Sequence, residues 1–367
     1  MECSLRWAVV RSVKDFPGKQ ELDVELGPKV GKAVNYPDLT GPCRAGDEVL
    51  LNTTAEELQL GTGGWHYVLA VRGRERSLAG GGHIMKLRYT PLQGRTLSVE
   101  EEQSPYHDIL KKAESLQGLP VAVGSLHSML APFAWIIKQN CQNMRLVYLM
   151  SDGAALPLAF SRTVDMLKTR GFIDQTITFG HAFGGDLEAV NIYSALLAAK
   201  HVSQADLAVV LMGPGVVGTG TTWGTTAIEQ GVFLNAALQL GGTPVAIPRL
   251  SEGDPRPRHR GISHHTRTVL AKVVQSEVFL PLPLRYRELF PGGEQLTGLQ
   301  HKIVWEQTDA SFQELHAADL PFSTMGRGLQ DDPLFFHGIA ACAQFCRSLP
   351  ANCPDGGGND GSVTKVN

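Results

Sequence analysis

The stretch LAVVLMG (residues 207–213) decides the fold class, because its first six side chains are all apolar. A strand with one solvated face alternates apolar and polar residues, whereas a strand covered by helices on both faces is apolar throughout. Similar apolar runs occur along the chain: LPVAVGS (119–125), MRLVYLMS (144–151), QTITFG (175–180), TPVAIP (243–248), EVFLPLP (277–283) and HKIVWEQ (301–307). Their alternation with segments of helical period predicts a doubly wound, mainly parallel α/β domain.

The predicted helices lie between or after these runs, at about residues 128–142, 155–171, 186–202, 225–241, 263–275 and 333–348. The chain before them has a different pattern, in which short β-branched and aromatic runs such as LRWAVVRSV are separated by Gly, Pro and Asp turns. This spacing is typical of a small barrel or sandwich. We therefore predict a β-rich domain over 1–95, a Rossmann-like α/β domain over 96–349 and a disordered tail over 350–367.

The overall charge excludes some classes of partner. The 367 residues contain 33 Lys and Arg against 36 Asp and Glu, for a net charge of −3. Proteins that bind nucleic acid or a membrane surface as a whole usually have a basic excess, so we expect neither partner. No apolar run reaches the roughly 18 residues of a membrane span, and the first residues do not resemble a signal peptide, so a cytoplasmic location is expected.

The six cysteines are scattered along the chain, which is more typical of reduced thiols than of a disulfide framework. All six are therefore predicted to be free. Cys342 and Cys346 have the i, i+4 spacing of one helix face, and we predict a buried structural pair there. A zinc site would need two further ligands at a suitable spacing, and the sequence offers none nearby.

Polar side chains follow five of the predicted strands, at the edge where open parallel sheets bind ligands. The segments are GSLHS (124–128), SDGAALP (151–157), GHAFGGDLEAVN (180–191), GPGVVGTGTTWGTT (213–226) and RLSEGDPRPRHRGISHHT (249–266). A purely structural turn needs Gly, Asn or Pro but rarely His and Arg as well. The sequence therefore predicts a functional site at the carboxyl edge of the sheet.

The fourth of these segments is a glycine-rich loop between a predicted strand and a predicted helix. Bare backbone N–H groups at such a position suit a phosphate or a carboxylate. The loop lacks the Gly-Lys-Ser/Thr of a P-loop, and its one G-x-G-x-x-G match does not open the first βαβ unit, so neither nucleotide motif is predicted. A structural glycine turn is the alternative. The predicted anion-binding residues here are Gly213, Gly215, Gly218, Thr219, Gly220 and Thr221.

The fifth segment is rich in arginine and contains no lysine between residues 249 and 267. Arginine presents a planar fork that matches carboxylate and phosphate groups, which favours a clamp for a small anion over a solvated face. A structural salt-bridge loop is the second alternative. The predicted anion-binding residues are Arg249, Ser251, Arg256 and Arg258, with Arg327 of the later segment TMGRGLQ.

A metal site is the third alternative for this segment. Adjacent helical residues point about 100° apart, so we expect that His264 and His265 do not share one ion. The nearby guanidinium groups would also repel a cation unless acidic residues balanced them. We therefore predict no metal ligands.

Histidine titrates near neutral pH, which makes it the candidate for acid–base chemistry at this edge. The candidates are His259, His264 and His265, and the acids that could orient them are Asp254, Asp186 and Glu188. Ser125 lacks the G-x-S-x-G elbow, which argues against a serine hydrolase.

Several long strings, among them GKAVNYPDLTGPCRAGDEVLLNTT, GPGVVGTGTTWG, RHRGISHHT and TMGRGLQDDPLFF, resemble a bacterial family catalogued as domain of unknown function 3866. The resemblance runs from about residue 5 to residue 348. It implies an intracellular soluble protein and brings no catalytic residues and no cofactor. The residues themselves predict a transferase or hydrolase that acts on a small phosphorylated or carboxylated metabolite. The alternatives are a non-catalytic anion-binding regulator and an interaction protein that binds an acidic partner.

Overall fold

The structure is a computed structural model that describes residues 2–59, 64–290 and 300–349. It forms two compact units, which divide the chain between Leu97 and Ser98. The predicted disordered tail over 350–367 lies outside the described residues. Within the described part, no helix combines the length and the apolar composition that crossing a membrane requires.

The first unit is a closed five-stranded barrel, which confirms the predicted β-rich domain. Its strand order is β1-β2-β3-β5-β4. The strands are β1 (Leu5–Phe16), β2 (Lys19–Leu26), β3 (Lys29–Asn35), β4 (Glu48–Asn52) and β5 (Trp65–Val71), with short helices α1 (Pro37–Thr40) and α2 (Thr54–Glu57) between them. Alternate residues such as Val10, Leu22 and Val49 fill the interior, as the two-residue period of a strand requires. An antiparallel pair, β6 (Ile84–Lys86) and β7 (Gly94–Thr96), completes the unit.

The second unit is built on an eight-stranded, all-parallel sheet, which confirms the predicted α/β domain. Its strands are β8 (Pro120–Val123), β9 (Leu146–Ser151), β10 (Gln175–Phe179), β11 (Leu187–Ala189), β12 (Leu207–Met212), β13 (Thr243–Ala246), β16 (Phe279–Pro283) and β17 (Lys302–Glu306). Their order across the sheet is β11-β10-β9-β12-β8-β13-β16-β17. A separate antiparallel pair is formed by β14 (Leu250–Ser251) and β15 (Gly261–Ile262). All seven predicted apolar runs form strands of the sheet.

Helices cover both faces of this sheet. They are α3 (His107–Leu110), α4 (Leu130–Asn140), α5 (Arg162–Thr169), α6 (Ile192–His201), α7 (Glu229–Gln239), α8 (His264–Thr268), α9 (Asp309–Ala317) and α10 (Pro333–Ser348). Along β12 the side chains alternate between two hydrophobic cores: Val209 packs with α4 and α10, and Val210 packs with α6 and α7. Both strand faces are therefore buried, which explains the uninterrupted apolar runs.

Two predicted helices begin later than expected, and the nine-residue helix α9 was not predicted. Residues 187–189 form the edge strand β11, and α6 begins only after Asn191, whose side chain accepts from the N–H groups of Tyr193 and Ser194. Similarly, α5 begins after Ser161, whose hydroxyl accepts from the N–H of Val164. Such caps satisfy free N–H groups and fix where a helix starts. Helix α9 has no counterpart among the predicted elements.

The cysteines follow the prediction in part. Cys342 and Cys346 are fully buried free thiols on one face of α10, as predicted. Cys141 is disulfide-bonded, so the prediction of six free thiols is wrong. Sequence spacing reveals a disulfide framework only when cysteines form a dense pattern, and the scattered cysteines of this chain form none.

Candidate functional site

The topology places a crevice at the carboxyl ends of β9 and β12. These strands are neighbours, and their last residues Ser151 and Met212 pair in register. The chain continues from β9 to β10 on one side, and from β12 to β13 on the other side of the sheet. Open parallel sheets bind ligands at such a switch point. The loops that follow these strands therefore define the candidate site.

A cavity of about 270 Å³ lies at this edge. Its polar lining includes His127, Ser128 and Thr163, while Gly215 of the glycine-rich loop contributes backbone. The Nε2 atom of His127 is 2.7 Å from Ser161 Oγ, and its Nδ1 atom is 3.4 Å from the hydroxyl of Tyr148. Burial lowers the pKa of His127 to about 4, so this ring is neutral at physiological pH.

The glycine-rich loop forms a small hairpin of its own. The N–H of Thr219 donates to the carbonyl of Gly224 over 2.8 Å, and Gly218 bridges Thr225. The hydroxyls of Thr219 and Thr221 bond to each other over 2.9 Å. Gly215 and Gly220 adopt positive φ angles of 112° and 80°, which favour glycine. These contacts and backbone angles give the loop a defined shape.

Most of the predicted arginine clamp is engaged by a buried carboxylate. Asp254 is fully buried and accepts from Arg249 over 3.1 Å and from Arg256 Nε and Nη2 over 2.9 Å each. Burial raises the pKa of Asp254, but the hydrogen bonds and charges of these guanidinium groups outweigh it and hold the pKa well below its usual range. Both arginines are therefore ion-paired with a buried carboxylate, Arg249 inside the protein and Arg256 with a partly exposed side chain.

A second buried carboxylate, Asp332, binds Ser251 and Arg327 of the predicted clamp. Asp332 accepts from Ser251 Oγ over 2.5 Å and from Arg327 Nε over 3.0 Å. It also accepts from the backbone N–H groups of Glu252 and Gly253. These contacts tie the loop after β13 to the N-terminus of α10. Arg249, Ser251, Arg256 and Arg327 thus form the salt-bridge loop that the sequence offered as an alternative.

Arg258 differs from the arginines that Asp254 and Asp332 hold. Its side chain is exposed, and it forms no ion pair with any carboxylate in the part of the chain that the structure describes. Burial lowers the pKa of His264 and of His265, and the charge of Arg258 adds to this effect in both. The loop of the histidine cluster therefore carries an exposed cation without a carboxylate partner.

The three candidate histidines form a compact cluster. The ring centroids of His259 and His264 are 4.9 Å apart, those of His259 and His265 are 5.1 Å apart, and those of His264 and His265 are 4.1 Å apart. One nitrogen from each ring lies within 4.8 Å of the other two. Nitrogens of His264 and His265 therefore lie closer together than the angle between adjacent helical residues suggests. The Cα–Cβ directions diverge, but rotation about the side-chain bonds brings the rings together.

The same cluster is held neutral by its surroundings. Burial lowers the pKa of His259 to about 3 and that of His265 to about 4, and neighbouring arginine charges add to both effects. The Nδ1 atom of His259 is 2.8 Å from Ser263 Oγ, which also accepts from the N–H of His265 as the cap of α8. His264 Nε2 and His265 Nδ1 are buried and have no hydrogen-bond partner among the described residues.

The histidine cluster lies against the glycine-rich loop. A Cβ atom placed on Gly218 would be only 3.0 Å from His265 Cε1, so the loop backbone packs directly on that ring. The glycine-rich loop and the loop after β13 therefore meet at Gly218. The carboxyl ends of β12 and β13 thus bring their loops into one site.

A family model described as "Protein of unknown function (DUF3866)" matches residues 32–343. The chain belongs to this family. No curated protein matches it.

In this DUF3866 member, two of the predicted acids lie far from the histidines in the sheet. Asp186 directly precedes the edge strand β11 and Glu188 lies within it, and four strands separate β11 from β13. Asp186 accepts from the N–H of Thr176 over 2.8 Å and pairs with Lys168, and Glu188 accepts from Thr178 Oγ1 over 2.7 Å. A role in orienting a histidine does not fit this placement. Asp254 bonds to arginines instead, and Ser263 is the residue that orients His259.

One carboxyl group at the switch point was not predicted from the sequence. Glu229 lies in the first turn of α7 and accepts a hydrogen bond from Ser151 Oγ over 2.8 Å. Burial raises the pKa of Glu229, and the charge of Asp152 adds to this effect. Carboxyl groups with raised pKa values occur often at functional sites. An acid directly after a glycine-rich loop is the signal that would have identified it.

Proposed function

We propose that this protein binds a small phosphorylated or carboxylated metabolite at the carboxyl edge of its parallel sheet and acts on it as a transferase or hydrolase. The observation that carries the proposal is Arg258, an exposed guanidinium without a carboxylate partner among the described residues, on the loop that carries the histidine cluster. A guanidinium group offers two parallel N–H donors that match the oxygens of carboxylate and phosphate. The bacterial and cytoplasmic setting expected from the sequence belongs to this proposal.

The paired arginines support this role indirectly. Asp254 fixes the loop that carries Arg258, because it holds Arg249 and Arg256 and accepts from Arg260 Nε through its backbone carbonyl over 3.0 Å. A loop that is already ordered loses little conformational entropy when a ligand binds. Arg249, Arg256 and Arg327 then raise the local potential without contacting the anion themselves.

The chemistry expected at this site is transfer or hydrolysis. Neutral imidazole nitrogens accept protons or hydrogen bonds, and Glu229 supplies a carboxyl group with a raised pKa at the neighbouring strand end. A cavity of about 270 Å³, whose lining includes His127, Ser128 and Thr163, lies at the same edge of the sheet. The absence of a dinucleotide motif from the first βαβ unit argues against hydride transfer.

The replacement Arg258→Ala tests the anion site. Sulfate and phosphate are expected to raise the melting temperature of the wild-type protein more than chloride at equal ionic strength. A ligand that binds only the folded state raises the free energy of unfolding by about 2.7 kcal/mol at a concentration of 100 times Kd. Arg258→Ala should remove most of this gain and change the unliganded stability little, because the side chain is exposed and unpaired.

Arg170→Ala is the matched control, because it removes the same charge from the exposed end of α5. It should leave the stabilisation by sulfate and phosphate unchanged. Equal stabilisation of wild type and Arg258→Ala would show that anions bind elsewhere. A turnover screen with phosphate and carboxylate esters then separates an enzyme from a regulator that only binds.

A further inference from the structure

The cluster of His259, His264 and His265 has the composition of a metal-binding site. We propose that these three histidines bind one divalent transition-metal ion of the zinc class. Imidazole nitrogen suits Zn²⁺, Co²⁺, Ni²⁺ and Cu²⁺, whereas Mg²⁺ and Ca²⁺ prefer oxygen ligands. The site stands on the histidines alone and does not depend on the proposed reaction.

The geometry of the cluster is close to that of a bound state. The three candidate nitrogens lie within 4.8 Å of one another. A tetrahedral zinc ion with bonds of about 2.0–2.1 Å holds its ligand nitrogens about 3.3 Å apart. Side-chain rotations that move the nitrogens by about one to two ångströms therefore bring them to the spacing of bound ligands. His259 comes from the turn before β15, and the other two come from α8, so the site joins two neighbouring elements.

Unsatisfied nitrogens are the second, independent observation. His264 Nε2 and His265 Nδ1 are buried without a hydrogen-bond partner among the described residues. A buried polar atom without a partner costs free energy, and native proteins rarely keep two of them side by side. A metal ion satisfies both nitrogens at once. A cluster that served packing alone would gain nothing from this arrangement.

Ser263 provides the outer contact that metal-binding histidines usually have. Its hydroxyl is 2.8 Å from His259 Nδ1, and with the proton on Nδ1 the Nε2 lone pair is free for the ion.

The charges around the cluster indicate what completes the coordination. The guanidinium groups of Arg249 and Arg258 lower the pKa of His264 and would also repel a cation. Asp254 offsets the charge of Arg249 through their 3.1 Å ion pair, whereas Arg258 stays unpaired. An anionic oxygen in the fourth position would balance both the ion and Arg258. Three histidines with one open position are the ligand set of catalytic rather than structural zinc.

Metal binding is tested on the full-length protein after treatment with a chelator and dialysis. Calorimetric titration with Zn²⁺ should give one ion per chain, and Co²⁺ should produce the visible absorption of a low-coordinate nitrogen-bound ion. His264→Gln should weaken binding by at least about 100-fold, beyond the range for loss of an outer contact. His264 is only half-buried, so this variant is the least disruptive of the three, and circular dichroism verifies its fold.

His316→Gln is the matched control, because His316 is exposed on α9 and outside the cluster. It should bind Zn²⁺ as the wild type does. Ser263→Ala should weaken binding by about 10- to 100-fold if the hydroxyl orients His259. A wild-type protein that takes up no Zn²⁺, or equal affinities in His264→Gln and His316→Gln, would overturn the proposal.

Measuring phosphate binding with and without Zn²⁺ distinguishes a failure of the metal site from a failure of the proposed anion site. If phosphate stabilises the chelator-treated protein through Arg258 and no metal binds, the anion site stands and the metal site fails. If Zn²⁺ binds through the histidines and phosphate has no effect in either state, the metal site stands and the anion site fails. If both bind, phosphate should tighten Zn²⁺ binding and Zn²⁺ should tighten phosphate binding by the same factor.

Discussion

At the scale of single residues, two buried carboxylates decide which arginines can reach a ligand. Asp254 holds Arg249 and Arg256, and Asp332 holds Arg327. Arg258 has no such partner among the described residues. The loop after β13 therefore separates arginines that fix its shape from one that faces solvent. Composition alone does not make this distinction.

Replacing Asp254 with asparagine should strongly destabilise the parallel-sheet unit. Arg249 is 4% exposed and would lose the charge that compensates it inside the protein. Removing one partner of a buried ion pair typically costs about 3–5 kcal/mol. Arg258→Ala should cost less than about 0.5 kcal/mol, as most changes of exposed side chains do. Urea denaturation of both variants measures the difference, and wild-type stability of Asp254→Asn would refute the pairing.

At the scale of secondary structure, the sheet was predictable from sequence and part of its edge was not. Strands buried on both faces are apolar throughout, so seven of them were visible as runs. The edge strand β11 has only three residues. Asp186, just before the strand, bonds to Thr176 on β10, and Glu188, within the strand, bonds to Thr178. These contacts are tertiary, and the sequence therefore suggested a helix start at that point.

The location of the candidate site at the sheet edge was predictable from the sequence, but its side-chain contacts were not. Parallel topology brings the strand ends together, so the meeting of Gly218 with His265 follows from the fold. Ser251 and Arg327 both bond to Asp332, and Asp332 lies 81 residues from Ser251 in the sequence. The closeness of the histidine rings depends on side-chain rotation. Neither of these features can be read from spacing along the chain.

Helix α7 gives a prediction at this scale, because Gly231 lies where the segment 269–273 crosses it. Alanine normally stabilises a helix relative to glycine by up to about 1 kcal/mol. Here a Cβ atom on residue 231 would lie 2.6 Å from Cγ1 of Val273. Gly231→Ala should therefore destabilise the unit by about 1–3 kcal/mol through overpacking. Denaturant titration measures this change.

The double variant Gly231→Ala with Val273→Ala tests whether contact with Val273 causes the destabilisation. With the valine methyl groups removed, alanine at residue 231 should be neutral or stabilising relative to Val273→Ala alone. A coupling energy near zero in this double-mutant cycle would show that the two positions do not contact each other.

At the scale of the whole molecule, burial of histidine makes the parallel-sheet unit sensitive to acid. Burial lowers the pKa of His127, His265 and His337 to about 4 each, and that of His259 to about 3. The unfolded chain binds protons at these positions near the ordinary histidine pKa of about 6.5. Between these pH values the unfolded state holds more protons than the folded state, so stability falls as the pH falls.

His337 lies outside the candidate site, so its contribution to the acid sensitivity can be measured separately. Its ring is 2% exposed, stacks on Phe312 and lies 2.6 Å from the hydroxyl of Thr308 through Nδ1. Burial lowers its pKa to about 4, while the charge of Asp309 opposes the shift. Its contribution to stability is complete above about pH 6.5 and is lost as the pH falls towards 4. The largest loss is about 3 kcal/mol.

His337→Asn should therefore flatten the dependence of unfolding free energy on pH between 6.5 and 4, by about 2–3 kcal/mol across that window. The variant will be less stable at neutral pH, so the slope and not the absolute stability is the diagnostic quantity. Scanning calorimetry at several pH values follows the unfolding of the parallel-sheet unit separately from that of the barrel. His316→Asn serves as the control, because His316 contacts the same Phe312 ring but is exposed. Its slope should equal that of the wild type. If His337→Asn retained the wild-type slope, the acid sensitivity would have to come from the histidines at the carboxyl edge of the sheet.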